Sequence, residues 1–267
     1  MVNEKRKGAR STKEIPAVIM KQLNAGEIET ANLVEWLAVD QRLLLKNLMN
    51  QLDRTGYLNV ALNAIDELKK PTVNTINEAI GISLLQQSLA AKDTEFFTLL
   101  FKHSADLVRC WATYMVGSNN RLTLEEKLHQ IQPFAADTHF GVREIAWMAV
   151  RGSISNQIDQ SIGILSGWTT HEDANVRRFA SESTRPRGVW CEHIESLKKD
   201  PKPALIILDP LKSDPSRYVQ DSVGNWLNDA SKTQPEFVAA LCSKWQHQHP
   251  TKATLYIIKK AMRTIEK

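Results

Sequence analysis

VRRFA, residues Val176 to Ala180, decides how this chain is read, because the pentapeptide is a repeat. VRCWA begins at Val108 and VREIA at Val142, so three near-copies follow one another at intervals of 34 residues. A degenerate fourth copy, VQDSV, begins 43 residues further on at Val219. Each is preceded within six residues by an aspartate: Asp106, Asp137, Asp173 and Asp214. Self-similarity at this period, carried on helical patterning, is the signature of stacked helical pairs. The valine and the small residue four positions on share one helix face, so paired helices can approach closely. The aspartate and the arginine are expected at the turn and on the inner surface, linking neighbouring repeats. Stacks of this kind form an α-solenoid with a curved inner face.

Outside the motif the pattern is also helical. In NLVEWLAVDQRLLLKNLMNQL (Asn32 to Leu52) and TINEAIGISLLQQSLA (Thr75 to Ala90), apolar residues recur every three to four positions. Strict alternation is almost absent. Pro16, Pro71, Pro133, Pro186, Pro201, Pro203 and Pro235 stand where helices should begin or end. About sixteen helices joined by short breaks are expected. The fold class is therefore all-α, an α-solenoid of HEAT-like helical pairs. Residues 1–12, polar and basic without periodicity, are expected to be a disordered tail, and residues 13–267 a single domain.

The totals narrow the function. At 267 residues and 42% hydrophobic content the chain can bury a substantial core. No run approaches the roughly 18 apolar residues of a membrane span, and no secretory leader is visible. Cys110, Cys191 and Cys242 are widely spaced, as in a reducing compartment, which makes a cytoplasmic protein the expectation. The net charge of +4 resides in the first thirteen residues, which hold Lys5, Arg6, Lys7, Arg10 and Lys13 against Glu4. The neutral body must meet any anionic partner with local patches. One is Arg177, Arg178, Arg185 and Arg187 around Glu182. Another is the C-terminal set Lys252, Lys259, Lys260, Arg263 and Lys267. Either also reads as an ordinary solvated face.

No phosphate-cradling glycine loop and no zinc-protease helix motif is present. Cys242 with His247 and His249 is the only metal-like grouping, and histidines two apart on a helix point to different faces. No metal and no cofactor is expected. What remains are polar residues on the helices of successive repeats: Glu144, Glu182 with Arg178 and Arg185 a turn to either side, and Asn225, Asn228 and Asp229. Taken singly, each carboxylate reads first as part of a structural salt-bridge ladder between repeats, since structural ion pairs outnumber catalytic acids. Trp147 and Trp226 are most simply core residues. Trp190, beyond a Pro-Arg-Gly break, is expected to stand in a cleft.

VRRFASESTRPRGVW (Val176 to Trp190), HFGVREIAWMAVR and DPSRYVQDSVGNWLNDASK together resemble the bacterial HEAT-like-repeat DNA alkylation-repair glycosylases, the AlkC-type branch more than the AlkD-type. NLVEWLAVDQRLLLKNLM is similar too. Some members carry a further C-terminal β-sandwich domain, and none is expected here. The resemblance implies a monofunctional glycosylase that removes cationic alkylated bases, chiefly 3-methyladenine, from duplex DNA held on the concave face. Carried over by motif, the carboxylates are Glu144, Glu182 and Asp229, and the aromatic is Trp190. Arg143, Arg177, Arg178, Arg185 and Arg187 are the expected DNA contacts, and a monomer is expected. Gln220 and Asp221 stand where the family carries basic residues, and Trp226 where a histidine is common, which puts phosphate contacts of the fourth repeat in question. The runner-up is a HEAT module that binds damaged or branched DNA without catalysis. A protein-scaffolding solenoid is the third reading.

Overall fold

The valines and small residues of the repeat are core positions. Val108 and Ala112, Val142 and Ala146, Val176 and Ala180, and Val219 and Val223 are each at most 1% exposed. Each pair is one helical turn apart, so one stripe of every repeat helix faces inward. The computed structural model describes residues 6–266, and among these it holds sixteen α-helices and no strand. The helices group into two compact units where the sequence predicts one domain. The first takes the chain up to Arg121 together with Thr138–Ala149, and the second takes Leu122–Asp137 and Val150 onward.

The first unit contains α1 (Ala17–Ala25), α2 (Leu33–Ala38), α3 (Gln41–Gln51), α4 (Leu58–Asp66), α5 (Val73–Ala91), α6 (Phe96–Phe101) and α7 (Asp106–Gly117). Helix α7 is buried along its whole length, with α5 and α6 packed against it. At its end Gly117 meets the chain so closely that a Cβ there would lie 2.0 Å from the Ala149 carbonyl oxygen. Only glycine fits at such a contact. Residues 1–5 of the expected tail lie outside the described residues. The next part does not conform to a disordered tail: Arg6 grips buried Glu35 through both carboxylate oxygens, at 2.6 and 2.7 Å, and Asn32 donates to the Ala9 carbonyl at 2.7 Å. A buried carboxylate needs a cation, and the nominal tail supplies it.

The second unit contains α8 (Leu124–Ala135) and the end of α9 (Phe140–Asn156), whose earlier residues belong to the first unit. It continues through α10 (Ile158–Ser166), α11 (Ala174–Glu182), α12 (Glu195–Lys199), α13 (Leu205–Leu211), α14 (Arg217–Ser231), α15 (Pro235–Gln246) and α16 (Lys252–Met262). Helices α11, α14 and α16 run side by side in the same direction. Ser181 bonds Ser222 and Trp226 bonds the Thr184 carbonyl, while Asn228 donates to the Ala261 carbonyl and to Thr264. Helices α13 and α15 pack behind this row. Pro235 opens α15 as expected, but Pro133 lies inside α8 instead of ending it. The carbonyl it leaves unbonded belongs to exposed His129, where water can serve. No helix among the described residues is long and apolar enough to cross a membrane.

The arginine of each motif closes the turn before its own helix. Arg109 donates to the carbonyls of His103 and Ser104, Arg143 to that of Thr138, and Arg177 to those of His171 and Glu172, all at 2.8–2.9 Å. Gln220 of the degenerate copy does the same work, donating to the Asp214 carbonyl at 2.8 Å. A charged donor shared between two carbonyls stabilises by about 1.5–3 kcal/mol. What the repeat preserves is a turn-closing donor, which glutamine also provides. Asp173 caps α11, and Asp214 receives the Arg177 guanidinium at 2.6 and 3.0 Å, tying one repeat to the next.

Candidate functional site

Helix α11 ends at Glu182, four residues before Pro186, which lacks the N–H a further turn would need and restricts Arg185 before it. The last helical residue, Glu182, is 4% exposed, and its Oε1 accepts from Arg185 at 2.7 Å. Its Oε2 accepts from Ser222 of α14 at 2.8 Å and faces Arg178 at 3.5 Å. Burial alone would push this carboxyl up, but Arg178, Arg185 and the two hydrogen bonds outweigh it and hold the group below the usual carboxylate range. It is therefore ionised at neutral pH. Arg178 in turn lies over the Tyr218 ring, 4.1 Å from its centroid.

The Arg185 guanidinium also reaches Asp229 on α14, with Nη2 and Nε at 2.6 and 2.9 Å from one carboxylate oxygen. Lys232 holds the other oxygen at 3.0 Å. Asp229 is 3% exposed and Arg185 is 8% exposed. One planar cation thus bridges two buried carboxylates separated by 47 positions in the chain. The fork geometry of arginine suits such bidentate contact, where an ammonium would serve only one side. Trp226, fully buried, closes the floor through its bond to Thr184.

The structure brings together Glu182, Asp229, Arg178 and Arg185 of the expected site. Glu144 belongs to the first unit, where it is half-buried and accepts from Trp147 Nε1 at 2.9 Å. In the 34-residue register it is the counterpart of Arg178 and not of Glu182. Trp190 corrects the expectation of a cleft. It is 84% exposed, and its φ of 64° places it in the left-handed region that costs a non-glycine residue on the order of 1 kcal/mol. It stands at the tip of a surface loop.

The arginines also differ from the expectation of free DNA contacts. Arg177 and Arg143 close turns, Arg177 is further paired with Asp214, and Arg178 and Arg185 are committed to the carboxylates. Arg187 is half-buried, with its Nε enclosed and without a hydrogen-bond partner. In the C-terminal patch Lys260 pairs with Asp221 at 2.5 Å and Arg263 bonds Asn228 at 2.7 Å; Lys252 and Lys259 are exposed, and Lys267 lies outside the described residues. The possible metal grouping separates into buried Cys242 and exposed His247 and His249.

Three residues of the site went without a role in the sequence reading. Ser222 and Tyr218 lie in the fourth repeat, at ordinary helix positions with no local signal. Arg151, 3% exposed, donates to the carbonyls of Ser183, Arg185 and Glu192 at 2.8, 2.6 and 3.1 Å. Its signal was present: 34 positions separate it from Arg185, the repeat interval itself.

Residues 144–265 match the family model described as DNA alkylation repair enzyme. An uncharacterised protein of Bacillus subtilis, YhaZ, is 40% identical over 143 residues, which is 54% of this chain and 38% of that protein. The fold is similar to that of the alkylpurine DNA glycosylase AlkC of Pseudomonas fluorescens, solved bound to DNA containing an abasic site analog. That likeness has a TM-score of 0.67 at 23% identity and covers 97% of this chain and 66% of that one. It is also similar to AlkD2 of Streptococcus mutans, with a TM-score of 0.59 at 21% identity over 82% of this chain and 100% of that one. The chain thus spans under two thirds of the length of both YhaZ and AlkC.

Proposed function

We propose that the chain is a helical-repeat member of the DNA alkylation repair superfamily, whose family model matches residues 144–265, and that it is a monofunctional DNA glycosylase releasing cationic alkylated bases, chiefly 3-methyladenine, from duplex DNA. An N3- or N7-alkylated purine already carries positive charge, so its glycosidic bond is weak and the base leaves neutral. The charge then collects on the deoxyribose. Fixed anions beside that sugar stabilise the transition state more than the ground state. The observation that carries the reading is Glu182 and Asp229 held together on the two sides of Arg185, with Glu182 kept ionised by its neighbours. A carboxyl held below its usual range is suited to stabilising a cation and unsuited to protonating a leaving group. The reading thus favours charged lesions over neutral ones.

In this mechanism Glu182 is the leading carboxylate and Asp229 stands beside it. Glu144, from the preceding repeat, is the third of the set. Either of the paired groups can orient the attacking water, work typically worth about 100- to 10,000-fold. The exposed Trp190 ring offers a cation–π face to the alkylated base or the sugar, worth about 2 kcal/mol once water is excluded. Of the cations singled out in the sequence, Arg187, Lys252 and Lys259 are offered to phosphates on the second unit.

The test is release of 3-methyladenine from methylated DNA by the wild type and by Glu182→Gln. The glutamine keeps an acceptor for Arg185 and can donate its amide N–H to the Ser222 hydroxyl, but it removes the charge, and release should fall at least about 100-fold. Unchanged release would take Glu182 out of the role. The saturation of both carboxylates by Arg185 also favours a second reading, a module that binds damaged DNA with a structural ion-pair ladder. Binding without any base release by the wild type would select it.

A further inference from the structure

Arg151 stands at the last turn but one of α9, enclosed by the segment that follows α11. Its Nη1 and Nη2 donate to the carbonyls of Ser183 and Arg185, where α11 ends, and its Nε to that of Glu192, across the loop. One rigid fork therefore ties both ends of the stretch 183–192. The loop is closed a second time where Ile194 N–H donates to the Pro186 carbonyl at 3.0 Å. Gly188 lies directly on this arrangement: a Cβ there would be 3.1 Å from the Arg151 guanidinium carbon and 2.3 Å from Cys191 Sγ. No side chain fits between loop and guanidinium.

Two parts of the candidate site hang on that fork. At the loop tip, Val189 and Trp190 are exposed, and Trp190 is held in left-handed backbone that it would not adopt unaided. At the loop base, the Arg185 carbonyl rests on Arg151 while the Arg185 side chain spans Glu182 and Asp229. We propose that Arg151 is a positioning residue, a latch that fixes the Trp190 loop against the Glu182–Asp229 pair and so sets where the aromatic face meets the sugar or base served by the carboxylates. Its catalytic consequence rests on the glycosylase reading; the latch itself does not. Lysine cannot substitute, because a single ammonium does not present the planar spread of donors that three carbonyls require.

The test uses the full chain with Arg151→Gln and Arg151→Lys, the lysine variant serving if glutamine prevents folding. With the latch open, the half-buried Arg187–Gly188 bond becomes a trypsin site, cut at least about 10-fold faster than in wild type when local opening governs cleavage. In 5-fluorotryptophan protein, the Trp190 fluorine resonance, identified by its loss in Trp190→Phe, should move and broaden. Single-turnover release of 3-methyladenine should fall by up to about 5- to 30-fold with little change in DNA affinity, the scale of the aromatic contribution that the latch places. In a double-mutant cycle with Trp190→Ala the two losses should not add. An unchanged trypsin pattern and fluorine spectrum in a folded Arg151 variant overturns the latch. An opened loop with wild-type release, or losses that add fully with Trp190→Ala, overturns its positioning role. If the wild type releases no base, the glycosylase reading fails, and cleavage and the fluorine signal alone decide the latch.

Discussion

Replacing Arg185 by methionine removes one guanidinium and leaves two buried carboxylates short of a cation. The stem volume is nearly kept, so the change is one of charge. Glu182 retains Arg178 at 3.5 Å and the Ser222 hydroxyl, and Asp229 retains Lys232. Three short bonds of 2.6–2.9 Å are lost, all at groups no more than 8% exposed. Removing one partner of a buried ion pair typically costs about 3–5 kcal/mol, because the remaining charge stays buried. For a chain of this size each kcal/mol lowers the melting temperature by about 2–4 °C, so a drop of roughly 6–20 °C is expected at pH 7. The pH dependence gives the sharper signature. Glu182 is held below its unfolded value, so its contribution is fully present above the ordinary carboxylate range and is lost as pH falls through the folded value. In Arg185→Met that carboxyl titrates higher, so the gap between variant and wild type should narrow as pH falls from 7 toward 4. Thermal melts followed by circular dichroism at stepped pH measure both quantities. A variant that melts with the wild type at pH 7, or a gap that stays constant with pH, would refute the bridging role of Arg185.

Trp190→Ala should leave the melting temperature within about 1 °C, since the ring is exposed, yet weaken base release about 5- to 30-fold, the equivalent of the aromatic contribution. Arg177→Ala should destabilise by about 2–4 kcal/mol through loss of Asp214 and the two turn carbonyls, while leaving the salt slope of DNA binding unchanged; a shallower slope by one unit would return Arg177 to the phosphate contacts. Gly117→Ala places a methyl group 2.0 Å from the Ala149 carbonyl and should cost at least about 2 kcal/mol in chemical denaturation, where an ordinary exposed helical Gly→Ala would stabilise.

The repeat VRCWA, VREIA, VRRFA and VQDSV was enough to set helix phase and core. Valine and its small neighbour four positions on are determined by the geometry of a single helix, and burial follows wherever the pattern recurs. Glu182 was likewise legible as a candidate, because an acid among arginines is visible in one dimension, whereas Asp229 was reached through the motif it shares with the family. The state of the arginines was not. Whether Arg177 meets a phosphate or Asp214, and whether Arg185 is free or clamped between two carboxylates, depends on which residues of the next helix come within about 3 Å. That is set by the spacing and direction of α11 against α14 and the turn before it, contacts between residues 37 and 44 positions apart. Arg151 shows the same division: its register was in the sequence, but its acceptors are backbone carbonyls, and those carry no mark of residue type. The sequence by itself determined a stack of helices and its inward faces, since helical periodicity is local. Only the tertiary structure decided which charges are spent on the stack and which remain for a partner, since pairing of charge depends on distance between elements.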